Sequence, residues 1–517
     1  MMFNQKISTL PFYQWLLHQR ENRLFLVWVG LVIAIQLSIF KVIYPFPNFM
    51  PPDSNSYLEA AWSNQLINMW AIGYSKFLRF VSSFTNSHFI LVLLQYIFLQ
   101  LSVIYLVFTI RYLLSPPKWV FVVLLFANIL NPLVIHISNY VSSDALFTAL
   151  SIVWFTQLIW ILHKPTKYLM VVHALVLFFA FMVRYNALYY PFLSIIIITI
   201  SQLAIKTRIK SIGLIILPLS LFIGSTEYEY YKQTGQAQYS AFGGWQIAAN
   251  ALYGYAHAKQ KNVATVPARF RTLHSIVNRH MDSINQLRYR PDNEVAIYYL
   301  WDFKSPLKIY LKKVQQNDSA NNYFRQWASI APLYADYGRY LIKKYPSEFM
   351  QFYLWPNLLK YYAPPPKFMG IYNMGMDSVE QVTAGWFGWK NKYLPTFYKE
   401  KKIEIAEPFQ IVSPIINVVF VVSYLAFILL LGFHKINSLS KRVLALAITI
   451  WFTNMFFSVI AAPIELRYQI FPIIFTFCFT LLLISFIVEE CKLKESKSLR
   501  QEIMQNNLLE NLKIKNL

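Results

Sequence analysis

The sequence predicts an all-α polytopic membrane protein, with about ten transmembrane helices, outer juxtamembrane helices and one large, mostly helical extracytoplasmic segment. Three observations carry this. Of 517 residues, 56% are hydrophobic and only 14% charged, whereas soluble domains carry about 25% charged residues. The apolar residues gather into runs of roughly 18–23, the length a helix needs to cross about 30 Å of hydrocarbon. The net charge is +23, and the short loops and tail that topology leaves on the cytoplasmic side are basic, while the large basic outer segment is long enough to translocate regardless of its charge. In a soluble chain that charge would suggest nucleic acid. Here topology accounts for it, with a contribution from anionic lipid, and no nucleic-acid partner is expected.

In chain order the runs predict spanning helices at 24–43, 88–110, 118–137, 143–162, 167–184, 188–205, 209–226, 411–433, 443–461 and 468–488. Starting from a cytoplasmic N-terminus, alternation places Arg111 and Lys118, Lys164 and Lys167, then Lys206, Arg208 and Lys210 inside. Lys435, Lys441 and Arg442 follow, as does the tail with Lys492, Lys494, Lys497 and Arg500. Every short inner loop is then basic, and both termini are cytoplasmic. The first run is too long for a signal peptide and no small-residue cleavage site follows it, so it reads as a retained helix. This divides the chain into an N-terminal membrane module (1–226) with a first outer loop (44–87), an extracytoplasmic segment (227–410), C-terminal transmembrane helices (411–488) and a basic cytoplasmic tail (489–517). The absence of appended lumenal domains points to a bacterial inner membrane.

The first outer loop holds Pro51-Pro52-Asp53-Ser54 and then an amphipathic stretch suited to the interface. The 227–410 segment is rich in Tyr, Trp and Phe, with breaks expected at Gly243-Gly244, Pro291, Pro306, Pro346 and Pro364-Pro365-Pro366. A helix-like patch over Tyr334–Tyr345 and the lack of strand alternation predict a helical cap. Cys478 and Cys491 lie in or beside the last apolar run, so no disulfide braces this segment.

Asp53 is the first candidate catalytic residue, because the prolines before it favour an extended approach that presents its carboxylate at the membrane surface. The alternative is a helix cap, but Ser56 and Glu59 already form a plausible capping box. Asp144, after Ser142 and Ser143, faces the same compartment, although an acid in a first helical turn also suits the dipole. Four cations break the inside-positive pattern: Lys76, Arg79, Arg184 and Arg467. They are candidate ligands of a phosphate, with headgroup snorkelling as the plainer use of Lys76 and Arg79. An outward carboxylate beside such cations suits sugar transfer from a lipid phosphate, the acid taking a hydroxyl proton and the cations stabilising the departing phosphate. There is no phosphate-binding glycine loop, zinc motif or serine elbow. His257, His274 and His280 lack metal-ligand spacing. The clusters Trp386-Phe387-Gly388-Trp389 and Tyr361-Tyr362 suit either sugar stacking or interfacial anchoring.

Asp53 after the first helix, the stretch Trp70-Ala71-Ile72-Gly73-Tyr74-Ser75-Lys76-Phe77-Leu78 and Ser142-Ser143-Asp144-Ala145-Leu146-Phe147 resemble the GT-C glycosyltransferase superfamily, nearest the protein O-mannosyltransferase and lipid A aminoarabinose transferase group. Arg184-Tyr185-Asn186-Ala187-Leu188 and Glu465-Leu466-Arg467-Tyr468 fit its later helix ends. The resemblance implies an inverting transfer from a polyprenyl-phosphate sugar to an extracytoplasmic acceptor. Asp53 matches the catalytic acid and Asp144 a second acidic position. Lys76, Arg79, Arg184 and Arg467 would serve the donor phosphate, with Tyr57 and Glu465 in support. Many members carry two adjacent acids in the first loop, whereas here Ser54 follows Asp53. No cofactor is therefore implied, and a divalent cation is not expected to be required. Two other readings stay open: an O-antigen ligase or polymerase type using a polyprenyl-diphosphate glycan, and a transporter of lipid or glycan.

Overall fold

The computed structural model describes residues 9–51, 53–258, 266–315, 323–395 and 401–515. It is all-helical, with 77% of residues in helix and no strand among the described residues. Among the described residues eight helices are long and apolar enough to cross a membrane: Arg20–Ile43, His88–Leu114, Lys118–Ser138, Asp144–His163, Ile205–Thr234, Glu404–Leu429, Ser438–Ala461 and Ile470–Gln501. Each falls on an expected run. The two remaining runs form shorter apolar helices, Lys167–Val183 and Tyr185–Ile200. Extended backbone at Arg184 separates them, and the second opens with a 3₁₀ turn before Pro191. Where a run at 209–226 is expected, the helix continues to Thr234 and ends at Gly235, whose φ of +70° is the left-handed geometry that terminates helices.

The surface of this bundle is apolar. Along Arg20–Ile43, the side chains of Val27, Trp28, Leu31, Ile35, Ile39 and Val42 are exposed. A continuous stripe of that kind is costly in water and free of cost in hydrocarbon. Inside, one polar network is paired across helices: Trp154 Nε1 donates to Ser194 Oγ at 2.9 Å, and His173 lies between Ser194 and Gln157 at 3.0 Å from each. Such internal satisfaction is what a lipid-embedded bundle requires.

A second core lies in the 227–410 segment. The helix expected over Tyr334–Tyr345 is found as Ala331–Lys344, packed on Ala241–Tyr255. This corrects one expectation, because Gly243 and Gly244 lie within a helix rather than breaking one. A Cβ on Gly244 would sit 2.2 Å from the Ala331 carbonyl oxygen, and one on Gly338 2.7 Å from that of Ile247. The glycines let two backbones touch. Above this contact Trp245 stacks on Trp327 at 5.5 Å and donates to its carbonyl at 2.9 Å.

A third core joins the first loop to residues 379–394, with Phe49, Leu58 and Tyr74 against Trp386 and Phe387. The first loop forms two helices, Asp53–Trp62 and Gly73–Ser82. Its entry is stapled to the turn before Asp144: Asn48 donates its N–H to Asn139 O at 2.8 Å and accepts from Val141 N–H at 3.0 Å. Ser54 Oγ donates to Val141 O at 2.8 Å.

Candidate active site

Four chain segments meet at one point. Asp53 opens the helix Asp53–Trp62, Asp144 opens Asp144–His163, Arg184 ends Lys167–Val183, and Arg467 lies in the short turn Leu466–Tyr468. That last turn is held from outside the bundle. Asn357 Nδ2 donates to the carbonyls of Val459 and Ala462 at 2.8 Å, Asn357 Oδ1 accepts from Ile464 N–H at 2.9 Å, and Leu466 N–H donates to Pro365 O at 3.0 Å.

Arg467 is the hub. Its Nε bonds Glu465 Oε2 at 2.9 Å, and its Nη1 lies 3.4 Å from Asp53 Oδ2 and 3.6 Å from Asp144 Oδ2. Arg184 Nη1 pairs with the other oxygen of Asp144, and Ser142 Oγ donates to Asp144 Oδ2 at 2.9 Å. Tyr57 shares a hydrogen bond with Ser143 Oγ at 3.1 Å. The ring of Tyr468 lies under both guanidiniums, 4.6 Å from Arg467 and 4.8 Å from Arg184. Asp53 therefore begins its helix, but its carboxylate faces Arg467 and not the helix amides. The expected capping box does not form, because Ser56 sits inside the helix and donates to Asn68 Oδ1 at 3.1 Å.

Exposure separates the two acids. The Asp144 side chain is 1% accessible and that of Asp53 19%. Asp53, Arg184, Arg467, Glu465 and Tyr57 line a cavity of about 1770 Å³, whereas Asp144 sits behind the arginines. The cavity walls come from the membrane helix ends, the first loop and the 227–410 segment. Burial pushes the Asp53 carboxyl above the usual range against the pull of Arg467. For Arg467, burial acts downward, but Tyr468, Glu465 and Asp53 outweigh it and raise its value, so it stays charged. Burial lowers Arg184 and lifts the Tyr57 and Tyr468 hydroxyls to about 12. A carboxylate with raised proton affinity, held beside fixed positive charge at a cavity wall, is equipped to take a proton from a bound hydroxyl. Asp53, Asp144 and Glu465 converge on a guanidinium. Among the described residues no three His, Cys, Asp or Glu side chains are grouped to hold a metal ion.

Lys76 and Arg79 are not brought here. Lys76 Nζ donates to Asn64 Oδ1 at 2.9 Å, and Arg79 Nη1 donates to the carbonyls of Ala61 and Trp62 at 3.1 and 3.3 Å. Arg79 thus caps the C-terminus of Asp53–Trp62, where the helix leaves carbonyls unpaired. Phe387 and Trp389 pack around Phe49 and His88, Trp386 packs on Trp62, and none of the three lines the cavity. Tyr361 donates to Asn454 Oδ1 at 3.2 Å, away from the cavity. His274 is a buried structural group between Tyr255 and Tyr337. Two contributors were not singled out from the sequence. Tyr468 was visible only as the neighbour of Arg467. Phe242, Trp301 and Lys308, which extend an aromatic wall from Trp70 of the Trp70–Leu78 stretch, lie in segments that carry no motif.

Fold and site together define an all-helical membrane protein with a buried acid–arginine centre opening on a large cavity. No protein-family model, curated protein or solved structure matches the chain.

Proposed function

We propose that the chain is a membrane glycosyltransferase that moves a sugar from a polyprenyl-phosphate donor to an acceptor outside the cytoplasm, with inversion. The observation that carries this reading is Asp53 in the cavity wall, flanked by Arg467 and Arg184. The acceptor hydroxyl attacks the anomeric carbon from the face opposite the phosphate. The new C–O bond forms as the bond to the phosphate oxygen breaks, its electron pair leaves with the phosphate, and the hydroxyl proton passes to Asp53. Arg184 and Arg467 stabilise the charge that grows on the phosphate. Asp144, sealed behind them, is a positioning residue that fixes both guanidiniums. On this reading all ten apolar helices span, the first loop and the 227–410 segment lie on the outer face of a bacterial inner membrane, and the lipid tail of the donor stays in the bilayer. The resemblance to GT-C enzymes rests on the same residues.

The test is release of polyprenyl phosphate from a panel of polyprenyl-phosphate sugars by the protein in nanodiscs, with donor binding followed in parallel. Turnover by the wild type, lost in Asp53→Asn with binding kept, is expected. Turnover from polyprenyl-diphosphate glycans alone, with Asp53 dispensable, points instead to a ligase or polymerase.

A further inference from the structure

We propose that the end of the cavity away from Asp53 is a subsite for an anionic sugar, held by Lys308 and stacked along Trp301 and Trp70. This rests on the transferase reading and names the acceptor class: a glycan bearing a carboxylate or phosphate.

Lys308 stands in the first turn of Pro306–Gln315, a helix that Ser305 caps by accepting the Lys308 N–H at 3.4 Å. The position is unfavourable to a cation on two counts. The residue is only 8% exposed, and the positive end of a helix dipole repels an ammonium. Lys41 is held by Asn139 Oδ1 at 3.0 Å, and three other shielded cations sit on carboxylates: Arg467 on Glu465, Lys360 on Glu294, Lys401 on Asp377. Lys308 does not. Its Nζ donates to the Tyr323 hydroxyl at 2.9 Å and lies over the rings of Trp301, Trp245 and Tyr323 at 4.9, 5.0 and 5.7 Å. Among the described residues no acid pairs with it, and burial draws its ammonium down to about 8. Aromatic faces hold a cation in place without neutralising it, so the charge remains for an incoming anion.

The rings lead from Lys308 to the acid centre. Trp301 lies 5.7 Å from Trp70, which lies 6.4 Å from Tyr57, and Phe242 widens the strip at 4.8 Å from Trp70. Trp70, Trp301 and Lys308 all line the cavity, and the indole N–H of Trp70 is a buried donor that has no partner among the described residues. Flat apolar faces with a lone donor and an unneutralised cation match a sugar ring that carries a negative group: the ring stacks, a hydroxyl accepts from Trp70, and the anion meets Lys308 in a site of low dielectric.

The test uses the full-length protein in nanodiscs and reads tryptophan fluorescence during titration with three probes: a galacturonic acid trisaccharide, its carboxyl-reduced neutral counterpart, and a hexose phosphate. Wild type should bind at least one charged probe about tenfold more tightly than the neutral one. Lys308→Gln should abolish that preference and Lys308→Arg restore it, and which charged probe binds separates carboxylate from phosphate. Equal affinity of wild type for charged and neutral probes, or an undiminished preference in folded Lys308→Gln, overturns the proposal. The wild-type comparison decides the matter even if the variants do not fold. Asp53→Asn should bind like wild type. Charge-selective binding without turnover of any polyprenyl-phosphate donor would leave the subsite standing and remove the transferase reading, whereas turnover without charge selectivity would do the reverse.

Discussion

Lys76 with Arg79 and Arg184 with Arg467 look alike along the chain, as cations set against the positive-inside pattern near helix ends, yet the fold uses them oppositely. The first pair spends its donors on carbonyl oxygens and an asparagine at the C-terminal end of the short helix Asp53–Trp62. The second is buried against three carboxylates at a cavity wall. A cation near an interface is thus only half a site. Whether it becomes a structural clamp or part of a buried acid–arginine cluster depends on which acids the remaining segments deliver to it.

The sharpest way to break this contrast is Arg467→Ala. It leaves Asp53, Asp144 and Glu465 facing one another, and losing one partner of a buried ionic group costs about 3–5 kcal/mol. A large fall in thermal midpoint in nanodiscs is expected together with loss of transfer, and Arg467→Lys should recover stability better than activity because it lacks the fork of donors. Wild-type stability in Arg467→Ala would mean that the three acids do not depend on it. Next comes Asp53→Asn, which should lower transfer on the order of 10²–10⁴-fold, the usual contribution of a general base.

The same variant sharpens the comparison through pH. Burial raises the Asp53 carboxyl in the folded state, so its ionisation opposes folding. The stability contribution is complete below the unfolded value and is lost as pH rises through the folded one. Asp53→Asn should therefore match wild type in acid and melt at or above it at neutral pH, and a lower midpoint at neutral pH alone would show the Arg467 pair to be the larger effect. For transfer, wild-type activity should rise with pH through a value above that of an ordinary aspartate.

Arg79→Gln and Lys76→Gln complete the series as the smallest changes. Each removes exposed donors to carbonyl or amide oxygens, an effect of about 0.5–1 kcal/mol, and transfer should stay within twofold of wild type. A tenfold loss in either would restore them to the donor site.

Much of the architecture was legible because its causes are local. A helix rises 1.5 Å per residue and must cross about 30 Å of hydrocarbon, so the apolar runs locate all eight long helices and the two short ones, although Ile205–Thr234 and Ile470–Gln501 continue well past the expected ends at 226 and 488. Helix-forming periodicity likewise marks Ala331–Lys344. Gly243 and Gly244 misled for a physical reason: a glycine pair reads as a break along the chain, but against Ala331 it is what close backbone contact demands. The site was legible residue by residue, since Asp53, Asp144, Arg184 and Arg467 are each conspicuous near a helix end.

Composition and hydropathy by themselves determined that this chain lives in lipid, how its helices are spaced and which ions are out of place, because transfer free energy acts on each segment independently. Only the tertiary structure decided which ions meet, which acid is sealed and which opens on the cavity, and that Lys308 lies buried among rings with no carboxylate beside it among the described residues. Pairing joins positions hundreds of residues apart, and its energy exists only once the helices have packed.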